Sequence, residues 1–183
     1  MKNWLAEYRG RLRTPYEALT AVQNGQRVYT HMGAAAPLPL LEALCAHAGR
    51  LRDVEILHCI TIGDAPYTRP EHCGIFRHNA LFVSGNTRSC VQQGRGDYIP
   101  VFLHEIESLF SNGALPLDVA LIQCAIPDDH GYLSLGPGID ISLTAARQAR
   151  HLIVEANPRM PRTCGDTLLP VTECDAIVDA THA

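Results

Sequence analysis

The sequence predicts an α/β domain built on an open, largely parallel sheet flanked by helices. Three observations predict it. Short β-branched and apolar runs alternate along the chain with segments of helical spacing, the order expected of a parallel sheet. The strongest runs, DVALIQCA over 118–125 and HLIVEA over 151–156, are almost continuously apolar, as in strands covered on both faces. No linker, fixed-period repeat or low-complexity stretch divides the 183 residues, so 1–183 reads as one domain.

The elements follow in order. Thr14-Pro15-Tyr16-Glu17 is a helix start: Thr14 suits the N-cap, Pro15 the first helical position, and Glu17 completes a capping box. That helix is expected to reach about Gln23 and stop at Gly25. Arg27–His31 then reads as a short strand. Leu38, Leu41, Leu44, Cys45 and Ala48 recur at helical spacing before Gly49. Val54–Ile60 and Asn79–Ser84 read as strands, Asn86–Gln93 as a helix ending at Gly94, and His104–Phe110 as a short amphipathic helix. After the strand at 118–125 come a helix over Ser142–Ala149 capped by Ser142, the strand at 151–156, an extended excursion over Pro158–Pro170, and a last strand over Ala176–Asp179.

Composition narrows the function. With 46% hydrophobic and 19% charged residues the chain has an ordinary globular balance, and a net charge of −4 offers no basic field for nucleic acid or an anionic membrane. No apolar run approaches the roughly 20 residues that span a bilayer. The start, MKNWLAEYRGRLR, lacks the apolar core of a secretory signal. Seven cysteines, with no CxxC and several in apolar runs, read as buried reduced thiols of a cytoplasmic protein.

In open α/β sheets ligands sit beyond the carboxyl ends of the strands, so the polar, glycine-bearing segments that follow strands carry the candidates. After the first strand, Gly33-Ala34-Ala35-Ala36 is a small-residue loop against which a ligand could lie, or simply a tight packing turn. Ser84-Gly85-Asn86-Thr87-Arg88 leads into a helix: Gly85 allows close backbone approach, and Arg88 could hold a carboxylate or phosphate in a fork, or else pair with Asp97. Arg95 and Asp97, set between glycines, suggest a turn closed by a local ion pair. Asp128-Asp129-His130-Gly131 suggests acid–base chemistry or a polar turn at the ligand rim; adjacent residues rarely converge on one ion, so no metal site is expected. Gly136-Pro137-Gly138 lacks the remainder of a dinucleotide fingerprint, and neither a P-loop nor a GxSxG elbow is present.

Several strings taken together resemble the amino-terminal domain of the acetyl-CoA hydrolase/4-hydroxybutyrate CoA-transferase family. They are Gly85-Asn86-Thr87-Arg88, the segments 94–100 and 102–106, Pro116–Gln123, Pro127–Gly136 and Asn157–Thr163, in an order and spacing that cover nearly the whole chain. The resemblance implies an enzyme that moves CoA between carboxylic acids, or hydrolyses an acyl-CoA, through a glutamyl-CoA thioester. It also implies a chain about twice as long, with the nucleophilic glutamate in a second domain that has no counterpart here. Glu105 matches a position outside the nucleophile motif, so no catalytic residue is expected in this chain and it should be inactive alone. Gly33, Gly85, Asn86 and Arg88, with His130 and Gly131, are expected to line one wall of the cleft and hold the substrate acid. Coenzyme A enters as substrate, no permanently bound cofactor is implied, and the partners are an acyl-CoA, a small carboxylic acid, the carboxy-terminal half or a partner subunit, and further copies of the chain. Ser89-Cys90 and Ile139–Ser142 depart from the usual family pattern. The rival reading is a non-catalytic interaction or regulatory domain that keeps this fold.

Overall fold

The computed structural model describes residues 4–180. Its centre is a seven-stranded, all-parallel sheet of β1 (Arg27–Thr30), β2 (Val54–His58), β3 (Phe76–Ala80), β4 (Gly96–Tyr98), β5 (Val119–Cys124), β7 (His151–Ala156) and β9 (Ala176–Asp179), in the order β4-β3-β2-β1-β5-β7-β9. A separate antiparallel pair joins β6 (Tyr132–Ser134) to β8 (Leu168–Pro170). Helices α1 (Trp4–Arg11), α2 (Pro15–Leu19), α3 (Leu38–Ala46), α4 (Arg88–Gln92), α5 (Ile106–Ser111) and α6 (Ser142–Gln148) complete the described segments of regular α-helix.

Alternation along each strand divides the core in two. Tyr29, Leu57, Ala120, Ile122, Leu152, Val154 and Ile177 point to one face, where they pack with Ile106, Phe110, Ala145, Leu133 and Leu169. Val28, Ile56, Phe76, Val119, Leu121, Ile153 and Val178 point to the other, against Leu19, Leu40, Leu41 and Leu44. Every residue of β5 is buried, which explains its continuous apolar run. Each fully buried Leu, Ile or Val side chain contributes roughly 1.5–3 kcal/mol, so this central strand anchors the sheet.

The capping box forms as the sequence predicts: Thr14 Oγ1 accepts from the Glu17 amide, and Glu17 Oε2 accepts from the Thr14 amide at 2.9 Å. The helix it starts ends at Leu19 and continues only as a turn, short of the expected Gln23. The third strand is Phe76–Ala80, not Asn79–Ser84. Its ladder with β2 closes at the Leu81 amide, and Phe82 turns out to solvent because it belongs to an exposed rim and not to the core. The helix expected over 86–93 is confined to α4, and that expected over 104–110 is a 3-10 turn, Leu103–Glu105, followed by α5. Ser142 lies inside α6; the Asp140 carboxylate accepts from its amide at 2.9 Å. Asp97 pairs with Arg77 of the neighbouring strand, at 2.6 Å for Nη2, and not with Arg88 or Arg95; strand pairing sets those two side chains next to each other. The 158–170 excursion ends as strand β8.

Two further features frame the site. Leu12 bridges Ile177, the Arg13 amide donates to Ile177 O at 2.9 Å, and the Tyr8 hydroxyl meets the Asp179 carboxylate, so the segment from α1 clasps the outermost strand and covers that sheet edge. All seven cysteines are free thiols, with Cys59, Cys90, Cys124 and Cys174 buried. Among the described residues no helix is long and apolar enough to cross a membrane.

Candidate active-site wall at the carboxyl edge of the sheet

Strand order reverses between β1 and β5, because β1 continues to β2 on one side and β5 to β7 on the other. The loops that leave these two strands diverge, and in open α/β sheets this switch point is where a ligand crevice forms at the carboxyl ends. Three loops on the β1 side are stitched together there. The Gly33 amide donates to Ile60 O at 2.7 Å and the Ile62 amide to Gly33 O at 3.3 Å, joining the loop after β1 to the loop after β2. Asn86 Nδ2 donates to Thr61 O at 3.2 Å and Gly63 O at 2.9 Å, joining the loop after β3 to the same segment. Gly33 has φ +63°, a left-handed conformation that a side chain would strain.

The structure thus brings Gly33 and Asn86 to one cluster of loops, with Gly85 and Arg88 beside Asn86 in the chain. Gly85 is exposed, and a Cβ built on it would meet nothing within 4 Å, so the fold itself does not require glycine there. Arg88 is exposed and makes no ion pair among the described residues. The amides of Thr87 and Arg88 both donate to Ser84 O, so the start of α4 does not present them to an anion.

His130 and Gly131 belong to a different cluster. They form the turn between β5 and β6, closed by Asp128, which accepts from the amides of His130 and Tyr132 at 2.9 Å each and pairs with Arg162 at 2.6 Å. Those amide bonds and Arg162 hold the Asp128 carboxyl below its ordinary range against the opposing effect of desolvation. Gly131, at φ +84°, lies under Trp4: a Cβ there would come within 2.6 Å of Trp4 Cβ. Trp4 Nε1 also donates to Asp129 O at 2.9 Å. No hydrogen bond joins this turn to Gly33 or Asn86 among the described residues.

Beneath these loops lies a buried polar network that no sequence motif marks. His31, at the end of β1, is fully buried; its Nε2 lies 2.5 Å from Gly138 O and its Nδ1 3.2 Å from the Gln123 amide nitrogen. Gln123 Nε2 donates to Ala36 O at 3.0 Å, and Asn157 Nδ2 donates to Gln123 Oε1 at 3.2 Å. Tyr29 OH lies 2.8 Å from Ser142 Oγ, which donates to Asp140 at 2.8 Å. Under the loops after β2 and β3, His58 meets the Tyr67 hydroxyl and stacks on His78 with ring centroids 4.5 Å apart. Burial pushes His31, His58 and His78 below the ordinary imidazole range, and His78 adds to the effect on His58. His31, His58, Gln123 and Asn157 each stand at or just after the carboxyl end of a strand, the one signal the sequence offers for them.

Two buried thiols under this wall, Cys59 and Cys124, are held protonated. Burial, reinforced by Asp140, pushes the Cys59 thiol up to about 12, and burial pushes Cys124 well above its ordinary value. Glu155 is fully buried and accepts from the Leu40 amide at 3.1 Å, at the start of α3. Glu105 accepts from the Phe102 amide at 3.3 Å. Among the described residues no group of three or more His, Cys, Asp or Glu side chains could hold a metal ion. Around the crevice, the strand ends carry exposed Ile60, Ile62, Phe82, Tyr98, Phe102, Leu103, Ile126 and Ile139, with Phe102 at 71% exposure. So many large apolar side chains at one edge mark a surface made to be covered.

The fold and the sequence are shared with known proteins. Residues 1–182 match the family described as acetyl-CoA hydrolase/transferase N-terminal domain. The chain is 41% identical over 179 residues to the 4-hydroxybutyrate coenzyme A transferase of Clostridium kluyveri, covering 98% of this chain and 42% of that protein. It is 39% identical over 152 residues to a succinyl-CoA:acetate/propanoyl-CoA:succinate CoA transferase of Fasciola hepatica, covering 82% and 31%. Among solved structures, RipA from Yersinia pestis superposes with TM-score 0.92 at 31% identity, covering 98% of this chain and 44% of that one. The chain therefore spans between 31% and 42% of the length of these curated relatives.

Proposed function

The chain belongs to the acetyl-CoA hydrolase/transferase N-terminal domain family, and from that premise we propose that it forms one wall of a cleft in which CoA is moved between an acyl-CoA and a short-chain carboxylic acid, or released to water. The observation that carries this reading is the carboxyl edge itself: stitched loops, an Arg88 that makes no ion pair among the described residues, and a rim of exposed apolar side chains. Residues 1–183 act as one domain, and the carboxy-terminal half, in the same chain or as a partner subunit, covers the rim. That half donates the glutamate whose carboxylate attacks the thioester carbonyl, releasing CoA thiolate and leaving an acyl-glutamyl anhydride; the thiolate then forms glutamyl-CoA and frees the acid.

Within this arrangement Arg88 holds the carboxylate of the substrate acid, Asn86 and Gly33 fix the loops around it, and Gly85 leaves room for the ligand where the fold has no need of glycine. His130 and Gly131 shape the far end of the wall. Coenzyme A is a substrate and no cofactor stays bound; the reaction belongs to the cytoplasm, where acyl-CoA pools lie.

The test is to mix the purified chain with acyl-CoA and an acceptor acid, with and without a carboxy-terminal half from a relative. We expect no turnover from the chain alone, turnover on mixing, and in Arg88→Ala about a tenfold higher KM for the acid, in keeping with loss of a charge-assisted hydrogen bond. A CoA thioester seen by mass spectrometry on any glutamate of the chain alone, or that glutamate reduced to its alcohol by borohydride with release of CoA, would overturn the assignment of the nucleophile to the other half. No turnover with any partner, although the two halves associate, favours the non-catalytic rival.

A further inference from the structure

We propose that His31 is a positioning residue that sets the width of the crevice, tying the β6–α6 loop to the end of β1 through one ring nitrogen and holding β5 through the other. The loop needs such a tether. Among the described residues, the link from His31 Nε2 to Gly138 O, at 2.5 Å, is the one side-chain hydrogen bond to the backbone of Pro137–Ile139. A Cβ on Gly138 would overlap His31 Nε2 and Ala35, so the loop lies directly on the imidazole and the small-residue loop.

Both ring nitrogens face a carbonyl, Nε2 that of Gly138 at 2.5 Å and Nδ1 that of Gln123 at 3.0 Å, and the neutral ring has one hydrogen to give. The shorter contact places it on Nε2, donating to Gly138 O. Nδ1 is then an acceptor, and the Gln123 amide at 3.2 Å supplies its donor. Burial keeps the ring neutral, against the pull of the Gly138 carbonyl, the Asp140 carboxylate and the Gln123 carbonyl, which favour the cation. Gln123 passes the constraint on: its side chain donates to Ala36 O and accepts from Asn157, so the loops after β1 and β7 and the β6–α6 loop all refer to one ring.

The two bonds of His31 can be cut separately. In His31→Asn the amide oxygen stands near the place of Nδ1 and can still accept from Gln123, but nothing reaches Gly138. In His31→Gln the amide nitrogen stands near the place of Nε2 and can still donate to Gly138 O, but the Gln123 acceptor is lost. With the whole 183-residue chain, we expect backbone order parameters at Gly138–Asp140 to fall from about 0.85 to below about 0.6 in His31→Asn. The Gln123 amide should stay protected there. In His31→Gln the loop should remain ordered and the Gln123 amide should exchange about tenfold faster, the worth of one ordinary hydrogen bond. The unmodified chain should show the Nε2–H tautomer in imidazole 15N shifts, a measurement that stands even if a variant fails to fold. An Nδ1–H tautomer, or the same uniform loosening in both variants, overturns the proposal. The kinetic consequence rests on the function proposed above: with the second half present, His31→Asn should raise KM for the acid several-fold, whereas a mere loss of folded enzyme lowers kcat alone. Altered dynamics without any turnover would leave the positioning role standing and count against that function.

Discussion

The two ends of the same sheet are finished differently. At the amino-terminal ends of the strands, charges are matched to one another. Arg27 Nε donates to Glu55 at 2.9 Å, its amide to Asp118 at 2.9 Å, and its Nη1 to Pro116 O at 2.9 Å; Asn79 takes the second Glu55 oxygen at 2.6 Å. At the carboxyl-terminal ends, large apolar side chains face solvent and Arg88 lacks a counter-ion among the described residues. The difference teaches where to look for function. Satisfied charges close a surface, whereas exposed apolar groups beside a free cation leave it open to a partner and an anionic ligand.

The sharpest test of this contrast is a place where the carboxyl edge is closed. Gly131→Ala combines a left-handed backbone with a collision against Trp4, and should cost at least about 2 kcal/mol in urea unfolding. A neutral outcome would mean that α1 does not seal this corner. Next in size is the effect of acid. Because burial lowers the His58 and His78 pKa values on folding, the unfolded chain takes up their protons first. Their contribution is complete above about pH 6.5 and is lost as pH falls below it, by up to about 1.4 kcal/mol per pH unit for each histidine. Unfolding curves at pH 7.5 and 5.5 should show the loss, and His78→Leu should flatten it.

At the amino edge, Arg27→Ala strips a half-buried carboxylate of its guanidinium and should cost about 1 kcal/mol, less in high salt. The smallest effect on stability belongs to the rim. Phe82→Ser with Phe102→Ser should change the unfolding free energy by no more than about 0.5 kcal/mol. Light scattering should nevertheless show that the unmodified chain self-associates and the double variant does so less. A strictly monomeric unmodified chain at high concentration would erase the contrast between the two edges.

Much of the fold was legible because it rests on local signals. The capping box at Thr14–Glu17 and the apolar runs that became β5 and β7 state their structure within a few residues. Strand β3 was misplaced because its sequence, FRHNA, is polar where it pairs, while the more apolar Leu81-Phe82-Val83 that follows leaves the sheet. There Leu81 enters the core while Phe82 serves the rim, and a strand rule cannot tell a covered side chain from one awaiting cover. Asp97 was given the wrong partner for a related reason: Arg77 is twenty residues away and is brought close only by strand pairing. The candidate wall was legible in part, since Gly33 and Asn86 do meet, through the segment after β2. His31, Gln123 and Asn157 were not, because each alone reads as an ordinary polar residue at a strand end and the connection among them is spatial.

The clasp of Leu12 and Arg13 on Ile177 carries a consequence for the chain's connectivity. It brings the beginning and the end of the described fold to one corner, which makes the backbone nearly a closed ring. A permuted chain, sealed across that corner and cut instead at the exposed Asn112-Gly113-Ala114 turn, should trace the same sheet. Its new ends would lie just before the amino-terminal end of β5, at the opposite edge of the sheet from the crevice, free for tethering a reporter without crossing the open wall.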